Sequence, residues 1–327
     1  MSILGWSFTL RQDSELDEVV AAVAANPSIA AKRAIGLVSE VLGPAGWVDG
    51  PGDDGAALDA DGRTVIACGE ALWPPFVRHD PYGAGIAAVL ANVNDLAAMG
   101  ARPVALLDTI VGPEETAREV LRGMHWAAEL YDVPVVGGHL TRSDGAPALS
   151  AFGIGRADRV LSARHAAAGQ VLVLGCCVEG EMRADFPFFP SFDARGSQLA
   201  GDVRLLADLA TSGAAVAAKD VSMAGLVGSL AMLLEPQRLG VTVDLDVLPV
   251  PEGVSLADWL GCFPCFAFLL TCEPDRVEDC LAGFGARGLT AQPLGVLDDS
   301  GQVRLRRGSE TATVFDLQAE GVTNLRR

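Results

Sequence analysis

The sequence predicts two domains of mixed architecture, an α/β N-terminal half and an α+β C-terminal half. Three observations predict this class. The 327 residues exceed what one hydrophobic core normally organises. Half of the residues are hydrophobic and 20% are charged, which is the composition of a folded globular protein. Strand and helix patterns alternate throughout, and an Arg- and Ala-rich segment between Ala157 and Gly169 separates expected domains at residues 1–160 and 161–327.

The N-terminal half opens with apolar residues at helical spacing over residues 14–42. This spacing predicts one or two amphipathic helices, which end where Gly43-Pro44 breaks the pattern. The glycine-rich acidic loop Gly50–Gly55 follows. An alternating strand and a second strand at Thr64–Cys68 come next, since turn residues bound two apolar runs.

Two helices and three strands are predicted for the rest of this half. Ala84–Met99 is alanine-rich and free of proline, and Gly100 stands where a helix C-terminus uses glycine. The second helix, Glu114–Tyr131, opens after Pro113. The strands are short apolar runs: Arg102–Val111, Val133–Val136 ending at Gly137-Gly138, and Leu149–Ile154.

The C-terminal half shows the same two kinds of pattern in a less regular order, which favours an α+β layout. Its predicted elements are strand Val171–Leu174, helix Asp202–Thr211, strand Ala214–Ala218, helix Ala224–Leu234, strand Val241–Leu245 and strand Phe266–Thr271.

The charge of −18 excludes two classes of partner. It repels nucleic-acid backbones and acidic membranes, and only Lys32 and Lys219 are lysines. An anionic ligand would need divalent cations between its charges and the carboxylates. The start, Met1–Trp6, lacks a signal-peptide pattern, and the apolar stretch Cys262–Cys272 is too short for a bilayer. Seven scattered cysteines indicate a reducing compartment, so we expect a cytoplasmic protein without membrane or nucleic-acid partners.

Four acidic positions lie at element ends or inside apolar segments: Asp53-Asp54, Glu70, Asp95 and Asp220. Around Asp53-Asp54, glycines permit close approach of a ligand, although the same residues also form ordinary solvated turns. Asp95 interrupts an apolar helix, where an unpaired buried carboxylate would cost several kcal/mol. An exposed stripe carrying Asp95 is the alternative.

Two further segments combine strand ends with polar side chains. Asp220 lies at a strand-to-helix turn beside Lys219 and Ser222, an arrangement suited either to an anion or to simple helix capping. The run Gly137–Thr141 contains two glycines, His139 and Thr141, which suit phosphate or metal contact but also a tight turn. The residues alone leave these alternatives open.

In this order the segments resemble the ATP-binding superfamily of aminoimidazole ribonucleotide (AIR) synthetase, thiamine-monophosphate kinase, selenophosphate synthetase and the hydrogenase-maturation dehydratase. The chain is most similar to uncharacterised AIR synthase-related proteins. Asn-Asp-x-x-Ala-Met-Gly-Ala is the most specific of the motifs. The four segments that carry the resemblance are Gly52–Leu58, Asn94–Ala101, Gly137–His139 and Asp220–Leu226.

The resemblance implies an N-terminal α/β domain that forms a shared β-barrel in a homodimer. It also implies a C-terminal α+β domain that completes the cleft for ATP, Mg²⁺ and a small-molecule substrate. By position it implies metal ligands at Asp53, Asp54, Glu70, Asp95 and Asp220. It implies nucleotide contacts at Gly137, Gly138, His139, Thr141, Arg164, Lys219 and Ser222, with Asp220, Lys219 and His139 as candidate catalytic residues.

The implied activity is ATP- and Mg²⁺-dependent phosphoryl transfer to, or activation of, an oxygen of a small molecule. Two departures leave the reaction open. Met223 replaces the second aspartate of the kinase's Asp-x-Ser-Asp, and Phe76-Val77 replaces its His-Phe pair. A thiamine-monophosphate kinase-like activity and a nucleotide-binding partner protein without turnover are therefore the alternatives.

Two further sequence features lie outside the segments that carry the resemblance. Aromatic and proline residues over 185–192 suit either a substrate-covering loop or a core-plugging loop. Cys262 and Cys265 have Cys-x-x-Cys spacing, but no second pair completes a metal site, so buried core cysteines are the favoured interpretation.

Overall fold

Two β-sheets, one in each half of the chain, organise the molecule, and a computed structural model describes residues 14–43 and 52–325. The first sheet has the strand order β1-β2-β5-β3-β4, with β3 and β4 parallel and the other pairs antiparallel. Its strands are β1 Ala56–Ala60, β2 Arg63–Ala71, β3 Arg102–Gly112, β4 Val135–Arg142 and β5 Ala148–Ala157.

The second sheet has seven strands in the order β14-β13-β9-β12-β6-β11-β8, and a separate two-stranded sheet joins β7 to β10. The strands are β6 Val171–Cys176, β7 Phe188–Phe189, β8 Ala217–Asp220, β9 Gly240–Asp244, β10 Phe263–Pro264, β11 Ala267–Cys272, β12 Thr290–Asp298, β13 Gln302–Arg307 and β14 Glu310–Asp316.

Helices flank both sheets. They are α1 Glu15–Ala25, α2 Pro27–Lys32, α3 Gly36–Leu42, α4 Pro74–His79, α5 Pro81–Ala98, α6 Glu114–Tyr131, α7 Phe192–Arg195, α8 Leu199–Ser212, α9 Gly225–Leu234, α10 Leu256–Gly261 and α11 Val277–Gly285. Among the described residues, no helix has the length and apolar content needed to cross a bilayer.

Helix α5 connects the two halves of the core. Its alanines and glycines allow close packing: a side chain at Gly85 would collide with the backbone of α6 at Val120. The helix contacts β2, β3 and β5 on one side and β8 and α8 on the other. Its residues are buried around nearly the whole circumference, including Asp95. The alternative of an exposed stripe carrying Asp95 is therefore wrong.

None of the residues that the structure describes covers the opposite face of the first sheet. Val104, Val136 and Phe152 are 53%, 61% and 43% exposed, and β4 is a sheet edge. Exposed apolar residues of this size on one sheet mark a surface suited to association.

The mixed α/β class is confirmed, and several local predictions needed correction. Residues 14–42 form three helices rather than one or two, because Asn26-Pro27 starts a new helix. Gly137-Gly138 lie inside β4 rather than at its end. The strand expected at Ala214–Ala218 is β8, which ends with Asp220. Gly50 and Pro51 lie outside the described residues, and the domain limits 1–160 and 161–327 stay predictions.

Candidate metal and phosphate site

Three aspartates from distant parts of the sequence meet where α5 lies between the two sheets. Asp54 comes from the loop before β1, Asp95 from α5 and Asp220 from the last position of β8. One carboxylate oxygen of each lies within 4.8 Å of the others. We call these three residues the aspartate cluster. Among the described residues, it is the one group of three or more metal-ligating side chains that close together.

Lys219 is buried within the aspartate cluster. Its Nζ forms ion pairs with the carboxylates of Asp54 and Asp220, and only 4% of the residue is exposed. The backbone N–H of Asp220 also donates to Oδ2 of Asp54 at 3.2 Å. The interpretation that Lys219 lies in solvent beside a capping residue is therefore wrong. Three ionised carboxylates and one ammonium leave two uncompensated negative charges in a buried place.

This charge imbalance changes the acid–base properties of the cluster. The pKa of Asp54 is raised to about 7, with burial as the main cause; Lys219 opposes this rise, and the charge of Asp220 adds to it. Burial, followed by the charges of Asp220 and Asp54, holds the pKa of Asp95 well above its usual range. Burial alone would lower the pKa of Lys219, but the surrounding carboxylates raise it above its ordinary value. Without a cation, the cluster therefore favours protonation of its carboxyl groups.

Asp95 is the member with the fewest internal partners. No hydrogen bond or ion pair reaches its carboxylate from the residues that the structure describes, although the residue is only 7% exposed. The preceding Asn94 donates from Nδ2 to the Cys265 carbonyl at 3.1 Å, and its Oδ1 has no described partner. A buried carboxylate of this kind is costly unless a ligand satisfies it.

Glu70 lies on the solvent side of the cluster, at the end of β2. Partial loss of water raises its pKa; Lys32 lowers it, and Asp220 raises it. Lys32, from the end of α2, thus acts on the same site as Lys219, so both lysines of the chain lie near it. The sequence pattern alone did not assign a role to Lys32. The signal that could have identified it is that lysine is rare in this sequence, with Lys32 and Lys219 as its two lysines.

Asp53 is not one of the three residues of the aspartate cluster. Its carboxylate accepts hydrogen bonds from Ser162 Oγ at 2.6 Å and from the backbone N–H of Ala163 at 2.7 Å. Ser162 Oγ also accepts from the N–H of Arg164 at 3.2 Å. Asp53 therefore ties the acidic loop to the segment between the sheets and brings the exposed Arg164 to the same turn.

Ser222 follows the cluster by two residues. Its backbone N–H donates to Ser229 Oγ at 3.0 Å, and its own buried hydroxyl has no described partner. The Ser222 hydroxyl and the Asp95 carboxylate are thus two polar groups that have no hydrogen-bond partner among the described residues. The donor set consists of oxygens, which Mg²⁺ prefers over softer ligands. The residues present therefore fit Mg²⁺ and a phosphorylated ligand.

The predicted Gly-Gly-His segment does not meet the aspartate cluster within one chain. Strand pairing places Gly138 opposite Asp108, Asp108 opposite Ala151 and Ala151 opposite Glu70, so these four residues face the same side of the first sheet. His139, the next residue on β4, therefore faces the other side. Gly137, His139 and Thr141 are exposed on β4, three strands from β2.

Asp108 was missed. It is 7% exposed, burial raises its pKa, and it lies on the same face as Glu70 with Ala151 between them. Its signal in the sequence is a lone carboxylate inside an apolar strand.

Cys262 and Cys265 are buried free thiols, and burial raises the pKa of each to about 12. This agrees with the interpretation of core cysteines.

A cavity of about 610 Å³ between α3 and the C-terminal segment is lined by residues such as Arg33 and Glu320, and it includes none of the three aspartates.

Comparisons with known proteins agree with this arrangement of the fold. Residues 52–157 match the AIR synthase related protein N-terminal domain, and residues 195–308 match its C-terminal domain. An uncharacterised protein of Synechocystis sp. is 34% identical over 275 residues, covering 83% of this chain and 85% of the relative.

Solved structures share the fold at low sequence identity. T. maritima PurL complexed with ADP has a TM-score of 0.72 at 18% identity, covering 84% of this chain and 46% of PurL. AaThiL complexed with AMPPCP and TMP has a TM-score of 0.65 at 18% identity, covering 85% of this chain and 95% of AaThiL. The chain thus spans about half the length of PurL. It belongs to the AIR synthase-related family.

Proposed function

We propose that the chain is an ATP- and Mg²⁺-dependent enzyme that transfers a phosphoryl group to an oxygen of a small molecule, or activates that oxygen through a phosphorylated intermediate. The aspartate cluster carries the proposal, because its two uncompensated negative charges call for a cation. The structural neighbours complexed with ADP and with AMPPCP support ATP as the nucleotide.

Asp54, Asp95 and Asp220 would hold Mg²⁺, with Glu70 as an additional ligand on the solvent side. Bound Mg²⁺ neutralises phosphate charge and orients the transferred group. Lys219 holds Asp54 and Asp220 in place through its ion pairs and limits their mutual repulsion. The unpartnered Ser222 hydroxyl offers a hydrogen bond to a phosphate oxygen, and Arg164 offers a positive charge at the turn fixed by Asp53.

The chain's own contribution to catalysis is therefore positioning and charge neutralisation. The acceptor oxygen forms a bond to the terminal phosphorus of ATP while the bond from that phosphorus to the bridging oxygen breaks, which releases ADP. Burial of the cluster strengthens each of these electrostatic contacts relative to water.

A homodimer is part of the proposal. The exposed apolar face with Val104, Val136 and Phe152 would be covered by a second copy, forming the shared β-barrel that the family resemblance implies. The exposed Gly137, Gly138, His139 and Thr141 would then lie at the subunit interface, which is how they would approach a nucleotide despite their separation from the cluster.

The test is Asp95→Asn. Because the amide cannot replace a charged ligand, we expect loss of Mg²⁺-dependent ATP binding in isothermal titration, with an unchanged circular dichroism spectrum. Asp275→Asn is the matched control, since Asp275 is exposed and remote in sequence from the cluster. Wild-type affinity in the Asp95 variant would refute the proposed site.

A partner protein without turnover is the second candidate. It is favoured by Met223, which is 36% exposed and stands where the kinase motif has an aspartate. Firm nucleotide binding, slow ATP consumption with every tested metabolite and a stable hetero-complex would select it.

Thiamine monophosphate is the first acceptor to test, because AaThiL was solved with TMP.

A further inference from the structure

A buried carboxylate lies on the first sheet, outside the aspartate cluster. Asp108, in the middle of β3, is only 7% exposed. No hydrogen bond or ion pair reaches its side chain from the residues that the structure describes. Burial raises its pKa, and no neighbouring charge or hydrogen bond opposes that rise. The described residues therefore leave this carboxylate without a complementary donor.

The side chains beside Asp108 on the sheet are apolar. Leu106 and Ile110 lie on the same face of β3, two residues before and after it, and both are buried. Ala151 lies opposite Asp108 on β5 and is also buried. None of these three side chains has a polar atom that can donate a hydrogen bond. A carboxylate in such surroundings is costly unless a ligand satisfies it.

The side of Asp108 that faces β4 is open. Gly138 lies opposite Asp108 in the parallel pairing of β3 with β4. A Cβ on Gly138 would lie 2.6 Å from Cγ and 2.7 Å from Oδ1 of Asp108, so the carboxyl group lies directly beside this glycine. Gly138 is exposed, and β4 is an edge strand. Glycine inside a strand often marks a close approach to the backbone. A ligand can therefore reach the carboxyl group across Gly138.

Asp108 is separate from the aspartate cluster and from the exposed apolar face of the sheet. Glu70 is paired with Ala151, which is paired with Asp108. Two strand spacings of roughly 4.8 Å put the Cα atoms of Glu70 and Asp108 about 10 Å apart. Ala151, between them, has no exposed surface, so packed atoms separate the two carboxylates. Phe152, the next residue on β5, belongs to the opposite face. Asp108 therefore needs a ligand of its own.

We propose that Asp108 and Gly138 form a binding subsite for a primary ammonium group of a small molecule. The N–H donors of that group satisfy the carboxylate oxygens, and its charge offsets the cost of burying them. The net charge of −18 favours the approach of an organic cation. Mg²⁺ fits less well, because it needs several oxygen ligands and the adjacent side chains supply none. The subsite involves neither nucleotide nor Mg²⁺, so it does not rest on the proposed function.

The experiment titrates butylammonium into the full chain without nucleotide, at constant ionic strength. Carbon-13 NMR of the aspartate carboxyl groups is the readout, and the Asp108 signal is assigned by its absence from Asp108→Asn. We expect butylammonium to shift this signal saturably. Tetramethylammonium has the charge without an N–H, and 1-butanol has a donor without the charge. Both should bind at least about tenfold more weakly than butylammonium.

Two variants and one control locate the bound ammonium group by saturation-transfer NMR. Asp108→Asn keeps the shape of the side chain, removes its charge and should lose at least about tenfold in butylammonium affinity. Gly138→Ala puts a methyl group against the Asp108 carboxyl group and should lose a similar factor. Asp144→Asn makes the same charge change at an exposed position and should bind as wild type.

Four results would overturn the subsite. They are an unshifted Asp108 signal, equal binding of tetramethylammonium, wild-type affinity in Asp108→Asn, and a shift caused by Mg²⁺ but not by butylammonium. Circular dichroism checks the folding of Gly138→Ala, and Asp108→Asn decides the outcome if that variant does not fold. Asp108→Asn should be at least as stable as wild type in chemical denaturation, because no described residue donates to the carboxylate. A clearly less stable variant would reveal an internal partner and would also overturn the subsite.

Discussion

Two buried ionic clusters in this molecule have opposite character. In the first, Asp202 is fully buried and accepts hydrogen bonds from Arg195 at 2.9 and 3.0 Å and from Arg287 at 2.6 Å. Arg195 donates a further bond to the Arg287 carbonyl at 2.8 Å. Both oxygens of the single carboxylate have donors, so this cluster is complete without a ligand.

The aspartate cluster is incomplete by the same standard. It has three carboxylates for one lysine, and Asp95 receives no hydrogen bond from a described residue. Burial is therefore common to both clusters and does not distinguish them. Charge imbalance and unsatisfied oxygens distinguish the site suited to a ligand from the structural one.

The largest expected effect is on the complete cluster. Asp202→Ala leaves two guanidinium groups without their carboxylate and should lower the free energy of unfolding by about 3–5 kcal/mol. Chemical denaturation measures this change. The remaining folded protein should bind Mg²⁺ as wild type does. A loss below about 1 kcal/mol would show that the Arg195–Asp202–Arg287 cluster is not structural.

The opposite sign is expected for the incomplete cluster. Asp95→Asn removes the cost of burying or protonating an unpaired carboxylate and should raise the free energy of unfolding of the metal-free protein by about 1 kcal/mol. Added Mg²⁺ should stabilise wild type and leave the variant unchanged. Thermal denaturation in EDTA and in Mg²⁺ provides both comparisons, and destabilisation of the metal-free variant would contradict the charge argument.

A pH dependence follows from Asp54. Its pKa rises from 3.8 in the unfolded chain to about 7 in the folded protein, so between these values the folded state binds more protons. Metal-free stability should therefore fall as the pH rises through this window. Protons and Mg²⁺ compete for the same oxygens, so Mg²⁺ affinity should increase as the pH rises toward and above about 7.

Denaturation at several pH values in EDTA measures how the metal-free stability depends on pH. The same series in Mg²⁺ measures how the stabilisation by Mg²⁺ depends on pH. Asp54→Asn should flatten the metal-free profile. Metal-free stability that rises across the window would contradict the assigned direction.

The smallest effect is expected at the solvent edge of the site. Glu70→Gln should weaken Mg²⁺ binding by about threefold, because an exposed carboxylate is screened by water and partly balanced by Lys32. Lys32→Met should tighten Mg²⁺ by a similar factor. Titration at low and high salt checks the electrostatic origin, since both effects should shrink in high salt.

Local sequence patterns were sufficient for part of the fold. The helix Glu114–Tyr131 has the predicted limits, because its amphipathic spacing and its N-terminal proline are local signals. Strands β12 to β14 were missed because their burial is uneven, although β13 and β14 pair with each other as a local hairpin. The break at Asn26-Pro27 was also missed, although Pro at the first helical position was a readable signal.

The site was predictable in its residue types and less so in its contacts. Asp54, Asp95 and Asp220 were identified and lie together. Asp53 was grouped with Asp54 because the two are adjacent, yet one carboxylate faces Ser162 and the other Lys219. Adjacent residues in a loop point in different directions, and only tertiary packing decides which of them enters the site. Lys219 had been given a solvated alternative for the same reason.

Isothermal titration of ATP and of AMPPCP, with and without Mg²⁺, tests the central claim most directly when the solution mass is measured alongside. The predicted result is Mg²⁺-dependent binding to a dimer, lost in Asp95→Asn and retained in Asp275→Asn. ATP binding that does not depend on Mg²⁺, or an ATP affinity that is unchanged in Asp95→Asn, would contradict the assignment of the aspartate cluster as the metal and phosphate site.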